Sequence, residues 1–307
     1  MVENYGLPYT GSKSRIAHWV IDNLPRGRVL IDAFAGGCAI THCALLSQKW
    51  QTVIANDINV KYPQLFADAI HGKYRDERRW ISREDFEQLK SKDAFVACCW
   101  SFGNNLIRYM YNKKIEPYKR ALHYAIVFDD FAPMQELMPE VAQAVHEAIH
   151  WIRNTHDRRV TAQKVIVKTL KRLTDDNYAQ SLNSLERLQS MERLERLQRL
   201  ERLERLERLR VTSLSYGEID IPTDSVVYCD PPYRACDGSL YEGMAKAFDH
   251  CAFYDWCVSV SKTNPIFISE YSIEDDRFEI VAEKQKLTRL SSVKSFNVTE
   301  RLYTVKK

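Results

Sequence analysis

The sequence predicts an α/β protein built on a doubly wound, mostly parallel sheet, with a helical insertion and a triplet-repeat segment. Short apolar runs, several of which end in an acidic residue, alternate with helix-prone stretches, as in proteins with parallel sheets. Five such runs are expected to be strands: residues 28–33, 52–57, 224–230, 265–270 and 300–305. Residues 64–180 lack this rhythm and are rich in Trp, Tyr, Arg and Lys, which predicts a helical region.

Length and composition limit the class of protein. The chain has 307 residues, of which 45% are apolar, so it can bury a substantial core and is neither disordered nor fibrous. The formal net charge of +3 excludes a histone-like protein that binds nucleic acid by charge alone. The N-terminus has no apolar signal core and no run of 18 apolar residues occurs, so we expect a soluble, cytoplasmic protein without membrane contact.

The cysteines do not form a metal-binding pattern. All eight lie outside CxxC pairs, and no zinc-finger spacing is present. His146 and His150 are four residues apart on a predicted helix, but no third ligand is nearby in the sequence. We therefore expect reduced core cysteines, surface histidines and no bound metal.

The first two predicted strands are followed by residues suited to a nucleoside-shaped ligand. Residues 32–37 (DAFAGG) form a turn between a strand and a helix, where glycine lets the backbone approach a ligand closely. Their spacing differs from GxGxxG, which weakens a nicotinamide-binding interpretation. Asp57 ends the next strand, where an acid can accept hydrogen bonds from ribose hydroxyls.

The tetrapeptide Asp230-Pro231-Pro232-Tyr233 follows the apolar run VVYC. Two consecutive prolines end a strand ladder and fix the backbone. A carboxylate, the Pro231 carbonyl and an aromatic face at the carboxyl end of a strand suit a primary amine on a flat ring. An ordinary Pro-Pro turn with a surface tyrosine is the alternative.

A leucine, once replaced by Met191, occurs at every third position from Leu182 to Leu209, mostly as L-E-R. In an α-helix each triplet rotates by 300°, so the leucines walk around the helix and make no coiled-coil seam. The segment has no Gly, Pro or β-branched residue and several Glu–Arg pairs four residues apart, which favours an α-helix. We expect a solvated insertion without chemistry; a solenoid, an irregular arm or contact of its arginines with DNA phosphates are alternatives.

In this order, the motifs resemble those of the Dam-like family of DNA adenine-N6 methyltransferases. The resemblance rests on residues 8–13 (PYTGSK), 32–37, Asn56-Asp57, 101–105 (SFGNN), 230–233, Phe248-Asp249-His250 and 266–271 (IFISEY). It covers nearly the whole chain apart from the L-E-R run. It implies a Rossmann-like methyltransferase sheet with a helical target-recognition insertion.

The resemblance also implies the cofactor S-adenosylmethionine and a division of the chain. Residues 1–63 and 211–307 would form the cofactor-binding catalytic domain, 64–180 the target-recognition domain and 181–210 the repeat insertion. The implied cofactor-binding residues are Tyr9, Gly11, Lys13, Asp32, Phe34, Ala35, Gly36, Gly37 and Asp57. The implied catalytic residues are Asp230, Pro231, Pro232 and Tyr233.

The implied substrate is a flipped-out adenine in double-stranded DNA, because N6 is not reachable inside a duplex. Asp230 and the Pro231 carbonyl would accept the amine hydrogens and aim the nitrogen lone pair at the methyl group, while Tyr233 stacks on the base. Asp230 is not expected to act as a full general base before transfer, because the amine N–H is a very weak acid.

DNA contacts are expected from the helical region. Residues 151–173 contain seven Lys or Arg against one acid, and residues 108–114 interleave aromatic and basic side chains. A solvated helix face is the alternative for any one of them. The candidate DNA-binding residues are Asn104, Asn105, Arg108, Tyr109, Lys113, Lys114, Arg158 and Arg159.

Two other functions remain open at this stage. Methylation of cytosine N4 uses the same amine geometry, although the family's cytosine members more often carry Ser in place of Asp230. A non-catalytic DNA-binding or assembly protein that uses the repeat is the alternative from another class. We expect a monomer, with oligomerisation through the repeat left open, and the sequence does not reveal the DNA target or whether the protein serves restriction-modification.

Overall fold

The structure, a computed structural model, describes residues 4–173, 188–203, 206–233, 248–289 and 295–307. The chain divides into two compact units. The sheet unit comprises Met1–His71 and Glu201–Lys307, and the helical unit comprises Gly72–Leu200. In the described residues no helix is long and apolar enough to cross a membrane, and no group of three or more His, Cys, Asp or Glu could hold a metal ion.

Among the residues that the structure describes, the sheet unit is organised around seven strands. They are β1 (Val29–Asp32), β2 (Thr52–Asn56), β3 (Leu209–Thr212), β4 (Ser225–Cys229), β5 (Ile266–Glu270), β6 (Phe278–Arg289) and β7 (Ser295–Val305). Their order in the sheet is β3-β2-β1-β4-β5-β7-β6. The strands from β3 to β5 are parallel neighbours, and β7 runs antiparallel to both β5 and β6.

Helices flank the sheet and build the second unit. The sheet unit contains α1 (Ala17–Asn23), α2 (Ala39–Ser47), α3 (Lys61–Ile70) and α11 (His250–Ser261). The helical unit contains α4 (Arg83–Leu89), α5 (Ala94–Trp100), α6 (Glu116–Phe128), α7 (Ala132–Leu137), α8 (Pro139–Ile149), α9 (Thr155–Leu173) and α10 (Gln189–Arg199).

The expected α/β fold is confirmed, and each of the five predicted runs contains or lies within an observed strand. Strands β1, β4 and β5 are buried at every residue, as expected for strands covered on both faces. Strands β3 and β6 were not predicted. The repeat pattern conceals β3, and a register shift between Ile280 and Ala282 interrupts the alternation of β6.

The helical unit begins at Gly72 rather than at residue 64, because α3 belongs to the sheet unit. Phe66 of α3 is fully buried, and its ring lies 5.8 Å from that of His42 in α2, measured between centroids. The core of the helical unit is formed by the apolar faces of α6, α8, α9 and α10 together with Met134 of α7.

The triplet repeat does not form one helix. Residues 182–187 and 204–205 lie outside the described residues, α10 covers Gln189–Arg199, and short 3₁₀ turns follow at Leu200–Arg202 and Leu206–Arg208. The last leucine of the repeat, Leu209, begins β3 and pairs with Val53. The second segment of the sheet unit therefore begins at Glu201 rather than at residue 211.

Helix α10 is packed rather than solvated. Met191 and Leu197 are 3% and 0% exposed, so the leucine positions of this helix do not all face water. Arg193 donates hydrogen bonds to the carbonyls of Cys98 and Ser101, at 3.1 and 2.5 Å. These contacts contradict a solvated arm for this part of the repeat.

Gln198 shows why one triplet departs from L-E-R. Its amide nitrogen lies 3.0–3.2 Å from the carbonyl oxygens of Tyr74, Arg75 and Glu77. A glutamate at this position would be acceptor-only when ionised and could not donate to these carbonyls. The break in the repeat therefore matches a local requirement for a donor.

Replacing Arg193 with Ala should lower the free energy of unfolding by about 1–3 kcal/mol, because two carbonyls lose a charged donor. The matched control is Arg199→Ala, an exposed arginine of the same helix, which should change it by no more than about 0.5 kcal/mol. Urea unfolding of both variants measures the difference. Equal effects would mean that the repeat is a solvated element after all.

Candidate functional site

The turn between β1 and α2 forms one wall of the site. Asp32 ends β1, and its Oδ2 accepts hydrogen bonds from the backbone N–H and the hydroxyl of Thr41 at 3.1 and 2.7 Å. Cys38 adopts a left-handed conformation directly before α2 begins at Ala39. The buried acid is thereby tied to the first turn of the helix that follows it.

The N-terminal segment packs closely against the two glycines of this turn. Gly36 has a φ of +46°, and a Cβ at Gly37 would lie 2.5 Å from the Cβ of Tyr9. The backbone N–H of Leu7 donates to the Gly37 carbonyl at 2.7 Å. The sequence predicts a close approach to a ligand at this turn, and the structure shows in addition a close approach of the chain to itself.

Asn56 and Asp57 connect the second strand to this turn. The Asn56 amide donates to the carbonyls of Ala33 and Leu214, at 3.1 and 3.0 Å. Asp57 accepts hydrogen bonds at 2.8 Å from the backbone N–H groups of Gly36 and Asn59. Burial raises the pKa of Asp57 above its ordinary value, and these two N–H groups partly oppose that rise. Each carboxylate oxygen retains acceptor capacity for a further donor.

Asp32, the glycine turn and Asp57 line a cavity of about 470 Å³ at the carboxyl ends of β1, β2 and β4. Phe34, Tyr216 and Phe248 form an aromatic wall, with ring centroids about 6 Å apart. The other predicted residues of the cofactor and amine sites also line it: Tyr9, Gly11, Lys13, Asp32, Ala35, Gly36, Gly37, Asp57, Asp230, Pro231, Pro232 and Tyr233. The cavity therefore brings together both groups that the sequence suggested separately.

The tetrapeptide after β4 is held by a cluster of charged and aromatic side chains. Lys13 Nζ lies 2.7 Å from Asp230 Oδ1 and 4.5 Å from the centroid of the Tyr233 ring. The Tyr233 hydroxyl donates to Glu300 of β7, and the Tyr271 ring meets that of Tyr233 edge-on at 4.7 Å. Lys13 is thus paired with Asp230 of the tetrapeptide, whereas the family resemblance implied that Lys13 binds the cofactor.

Glu300 is the functional candidate that sequence reasoning missed. Its side chain has no solvent exposure, and it precedes the buried Leu302 by two residues on the same strand. This alternation could have indicated an inward-facing acid. Its partners Lys13 and Tyr233 lie nearly 300 and 67 positions earlier, and no local pattern reveals such distant pairs.

Asp32 has the most informative titration in the site. Burial raises its pKa from 3.8 to about 7, the hydrogen bonds from Thr41 oppose the rise, and the carboxylates of Asp230 and Asp57 add to it. A positively charged ligand group beside Asp32 would remove this penalty.

The helical unit contains the predicted DNA-contact residues. Arg108, Lys113 and Lys114 are exposed there. Asn105 shapes the preceding loop, because its Oδ1 accepts from the N–H groups of Ile107 and Arg108 at 3.0 Å. Asn104 has a positive φ of 61° in the same loop.

Three of the predicted DNA contacts have structural roles instead. Tyr109 is 6% exposed, and its hydroxyl donates to the Ile81 carbonyl at 2.8 Å. Arg158 is 7% exposed and donates to the carbonyls of Ala125 and Ile126 at 2.9 and 2.8 Å. A guanidinium that is buried on carbonyl oxygens is not available to a phosphate.

Arg159 is the third corrected residue. It is 7% exposed, and its guanidinium lies 2.6 Å from Glu195 and 3.4 Å from Glu192 of α10. The local charge of residues 151–173 therefore overstates what a DNA duplex could meet.

One protein family model matches part of the chain. Residues 9–145 match the family model described as D12 class N6 adenine-specific DNA methyltransferase. The resemblance to the Dam-like adenine methyltransferases is confirmed. The activity that this family implies is methylation of adenine in DNA. No curated protein matches the chain.

The match to the adenine methyltransferase family includes Tyr9, the glycine turn and Asp57, together with the helical unit up to α8. It ends before Asp230 and Glu300. The amine-site residues therefore rest on the geometry of the cavity and on their sequence motif.

Replacing Gly37 with Ala should lower the free energy of unfolding by about 1–3 kcal/mol, because the new Cβ would overlap the Cβ of Tyr9. The control is Gly217→Ala, where a Cβ would meet nothing within 4 Å. Chemical unfolding compares the two. If Gly37→Ala were as stable as the control, the packing of Tyr9 on the turn would be wrong.

Replacing Asp32 with Asn should change the pH dependence of stability. Between pH 4 and 7 the folded protein retains a proton on Asp32 that the unfolded chain has lost, so wild-type stability falls as the pH rises through this window. Asn does not titrate, so the stability of wild type relative to the variant should decline from pH 4 to 7. Urea unfolding at a series of pH values measures the free energy of unfolding of both proteins. A difference between them that does not change with pH would contradict the raised pKa of Asp32.

Proposed function

We propose that the chain transfers a methyl group from S-adenosylmethionine to N6 of an adenine flipped out of double-stranded DNA. The observation that carries the proposal is that Asp57, the Gly36-Gly37 turn and Asp230 line a single cavity. A nucleoside-shaped donor and an amine-shaped acceptor can thus be held at contact distance, which supplies much of the rate of a two-substrate reaction.

The residues around the glycine turn fit the cofactor. The cavity volume of about 470 Å³ is in the range of sites for organic ligands. Asp57 has acceptor capacity for ribose hydroxyls, and Phe34 offers an aromatic face to a nucleobase. Buried Asp32 is suited to a positively charged ligand group. S-adenosylmethionine, when bound, supplies a methyl group on a positively charged sulfonium centre.

The tetrapeptide fits the amine of adenine. The Asp230 carboxylate and the Pro231 carbonyl provide two acceptors for the two N–H donors of the amine. Accepting these hydrogens draws the nitrogen lone pair out of conjugation with the ring and directs it toward the methyl group. The Tyr233 ring provides a stacking surface for the base.

Access to N6 requires the adenine to leave the duplex, since a base inside the stack cannot enter a cavity of this kind. Loss of the N6 proton is expected after transfer, when the methylated nitrogen carries a positive charge and its N–H is far more acidic. Asp230 then lies close enough to receive that proton.

Because Arg158 and Arg159 are buried, the exposed lysines of α9 are the better candidates for contacts with DNA. Lys164, Lys168 and Lys171 are exposed and lie within 60° of one another around the helix axis, at 100° per residue. Such a stripe suits contacts with successive phosphates, together with Arg108, Lys113 and Lys114.

Replacing Asp230 with Ala should reduce methyl transfer at least about a thousandfold and leave cofactor affinity within about twofold, because in the proposed complex Asp230 contacts the substrate amine and not the cofactor. Tritiated S-adenosylmethionine and unmethylated plasmid DNA measure transfer, and nucleoside analysis identifies the product. The control is Asp22→Ala, whose side chain is 63% exposed on α1. N6-methyladenine should be the product of wild type. N4-methylcytosine, or no transfer, would refute the proposal.

Replacing Lys164, Lys168 and Lys171 with Ala should weaken DNA binding similarly for all DNA sequences. A plot of the logarithm of the DNA-binding constant against the logarithm of the salt concentration should become less steep, by about 1 for each phosphate that a lysine no longer neutralises. Lys262→Ala is the control, because Lys262 follows α11 directly before β5 and so lies at the edge of the sheet opposite the cavity. Filter binding over a salt series measures both. An unchanged slope would exclude the stripe from the interface.

A further inference from the structure

Glu300 is a fully buried carboxylate, and such a group must be compensated by donors or cations. Tyr233 and Lys13 contribute to this compensation. The Tyr233 hydroxyl donates to Glu300 Oε1, and Lys13 Nζ lies 3.7 Å from the same oxygen. Lys13 is itself only 7% exposed.

The Lys13 ammonium is shared unequally between two carboxylates. It is 1.0 Å closer to Asp230 than to Glu300, with Nζ–O distances of 2.7 and 3.7 Å. It also lies over the face of the Tyr233 ring, 4.5 Å from the centroid. In this structure Lys13 therefore occupies positions that the proposed reaction needs for adenine.

The conflict is specific. A base stacked on Tyr233 would fill the space over the ring where the ammonium lies. The N6 amine would also need acceptor positions on Asp230 that Lys13 now uses. Both groups cannot be accommodated without a movement, and Lys13 has a flexible four-carbon side chain that allows one.

We propose that Glu300 is a positioning residue that receives the Lys13 ammonium when the adenine enters. A displacement of at least an ångström, the difference between the two distances, brings Lys13 onto Glu300, and its side chain is long enough to move further from the Tyr233 ring. Asp230 and one face of Tyr233 then become available to the base. The buried cation remains paired throughout, so substrate entry does not leave an isolated charge in the site. This inference rests on the proposed adenine-N6 activity.

The bond from Tyr233 gives Glu300 a second role that can be separated from the first. A glutamine at position 300 can still accept the tyrosine O–H through its amide oxygen, but it carries no negative charge. Tyr233→Phe does the reverse, because it removes the hydroxyl and leaves the charge of Glu300 in place. The two variants therefore distinguish attraction of Lys13 from orientation of the ring.

The test begins with wild-type protein, tritiated S-adenosylmethionine and unmethylated plasmid DNA, with analysis of the methylated nucleoside. Absence of N6-methyladenine at this stage would refute the proposed function. With an active wild type, Glu300→Gln should raise the KM for plasmid DNA about tenfold, keep kcat within about threefold and keep cofactor affinity within about twofold. The increase follows because Lys13 then competes more strongly with adenine for Asp230.

The same measurement in a Lys13→Met background decides whether Glu300 acts through Lys13. The increase in KM caused by Glu300→Gln should disappear when the ammonium is absent, as in a double-mutant cycle between coupled residues. Tyr233→Phe should change KM less than Glu300→Gln does. The control is Glu283→Gln on the neighbouring strand, whose side chain is 49% exposed and which should leave both kinetic constants unchanged.

An unchanged KM in Glu300→Gln, or an equal increase with and without Lys13, would overturn the inference. If Glu300→Gln does not fold, Glu300→Asp serves instead, because it keeps the charge and withdraws it from Lys13 by about one methylene. That variant should raise KM about threefold with little change in kcat. An unchanged KM in the folded Glu300→Asp variant would likewise overturn it.

Discussion

Parallel pairing of β2, β1 and β4 in one register is the constraint on which the site depends. Asp32 pairs with Ala55 on one side and Tyr228 on the other. Asp57 lies two residues after Ala55, and Asp230 lies two residues after Tyr228. The three acids therefore converge at one edge of the sheet. The strand order reverses between β1 and β4, which is where open α/β sheets leave a crevice for ligands.

Bringing three carboxylates together has an electrostatic cost that each acid meets differently. Asp32 is stabilised by two hydrogen bonds from Thr41 and still has a raised pKa. Asp57 accepts two backbone N–H groups, and Asp230 is paired with Lys13. In the proposed reaction these differences suit different tasks, because the first acid would meet a cation, the second would meet hydroxyls, and the third would meet an amine that displaces the lysine.

The L-E-R run shows how a uniform sequence acquires position-specific roles. Arg193, Arg199 and Arg208 each end a triplet of the repeat and are each followed by a leucine. Arg193 binds carbonyls of the helical unit, Arg199 is exposed, and Arg208 donates to the carbonyls of Leu45, Trp50 and Gln51 in the sheet unit. Along α10 a three-residue period advances by 300° per triplet, so similar triplets meet different surroundings. Arg208 lies beyond this helix, in the 3₁₀ turn Leu206–Arg208.

The amino-acid sequence by itself determined the local elements of this protein. Apolar runs that end in acids specified β1, β2 and β4, and the glycine turn and Asp230-Pro231-Pro232-Tyr233 marked the ends of two of them, because these features depend on neighbouring residues alone. Only the tertiary structure decided which side chains share a buried space. It turned Arg158 and Arg159 from surface cations into internal ones and brought Glu300 to Lys13, since hydrogen bonds and ion pairs between distant residues are set by packing and leave no periodic signal in the chain.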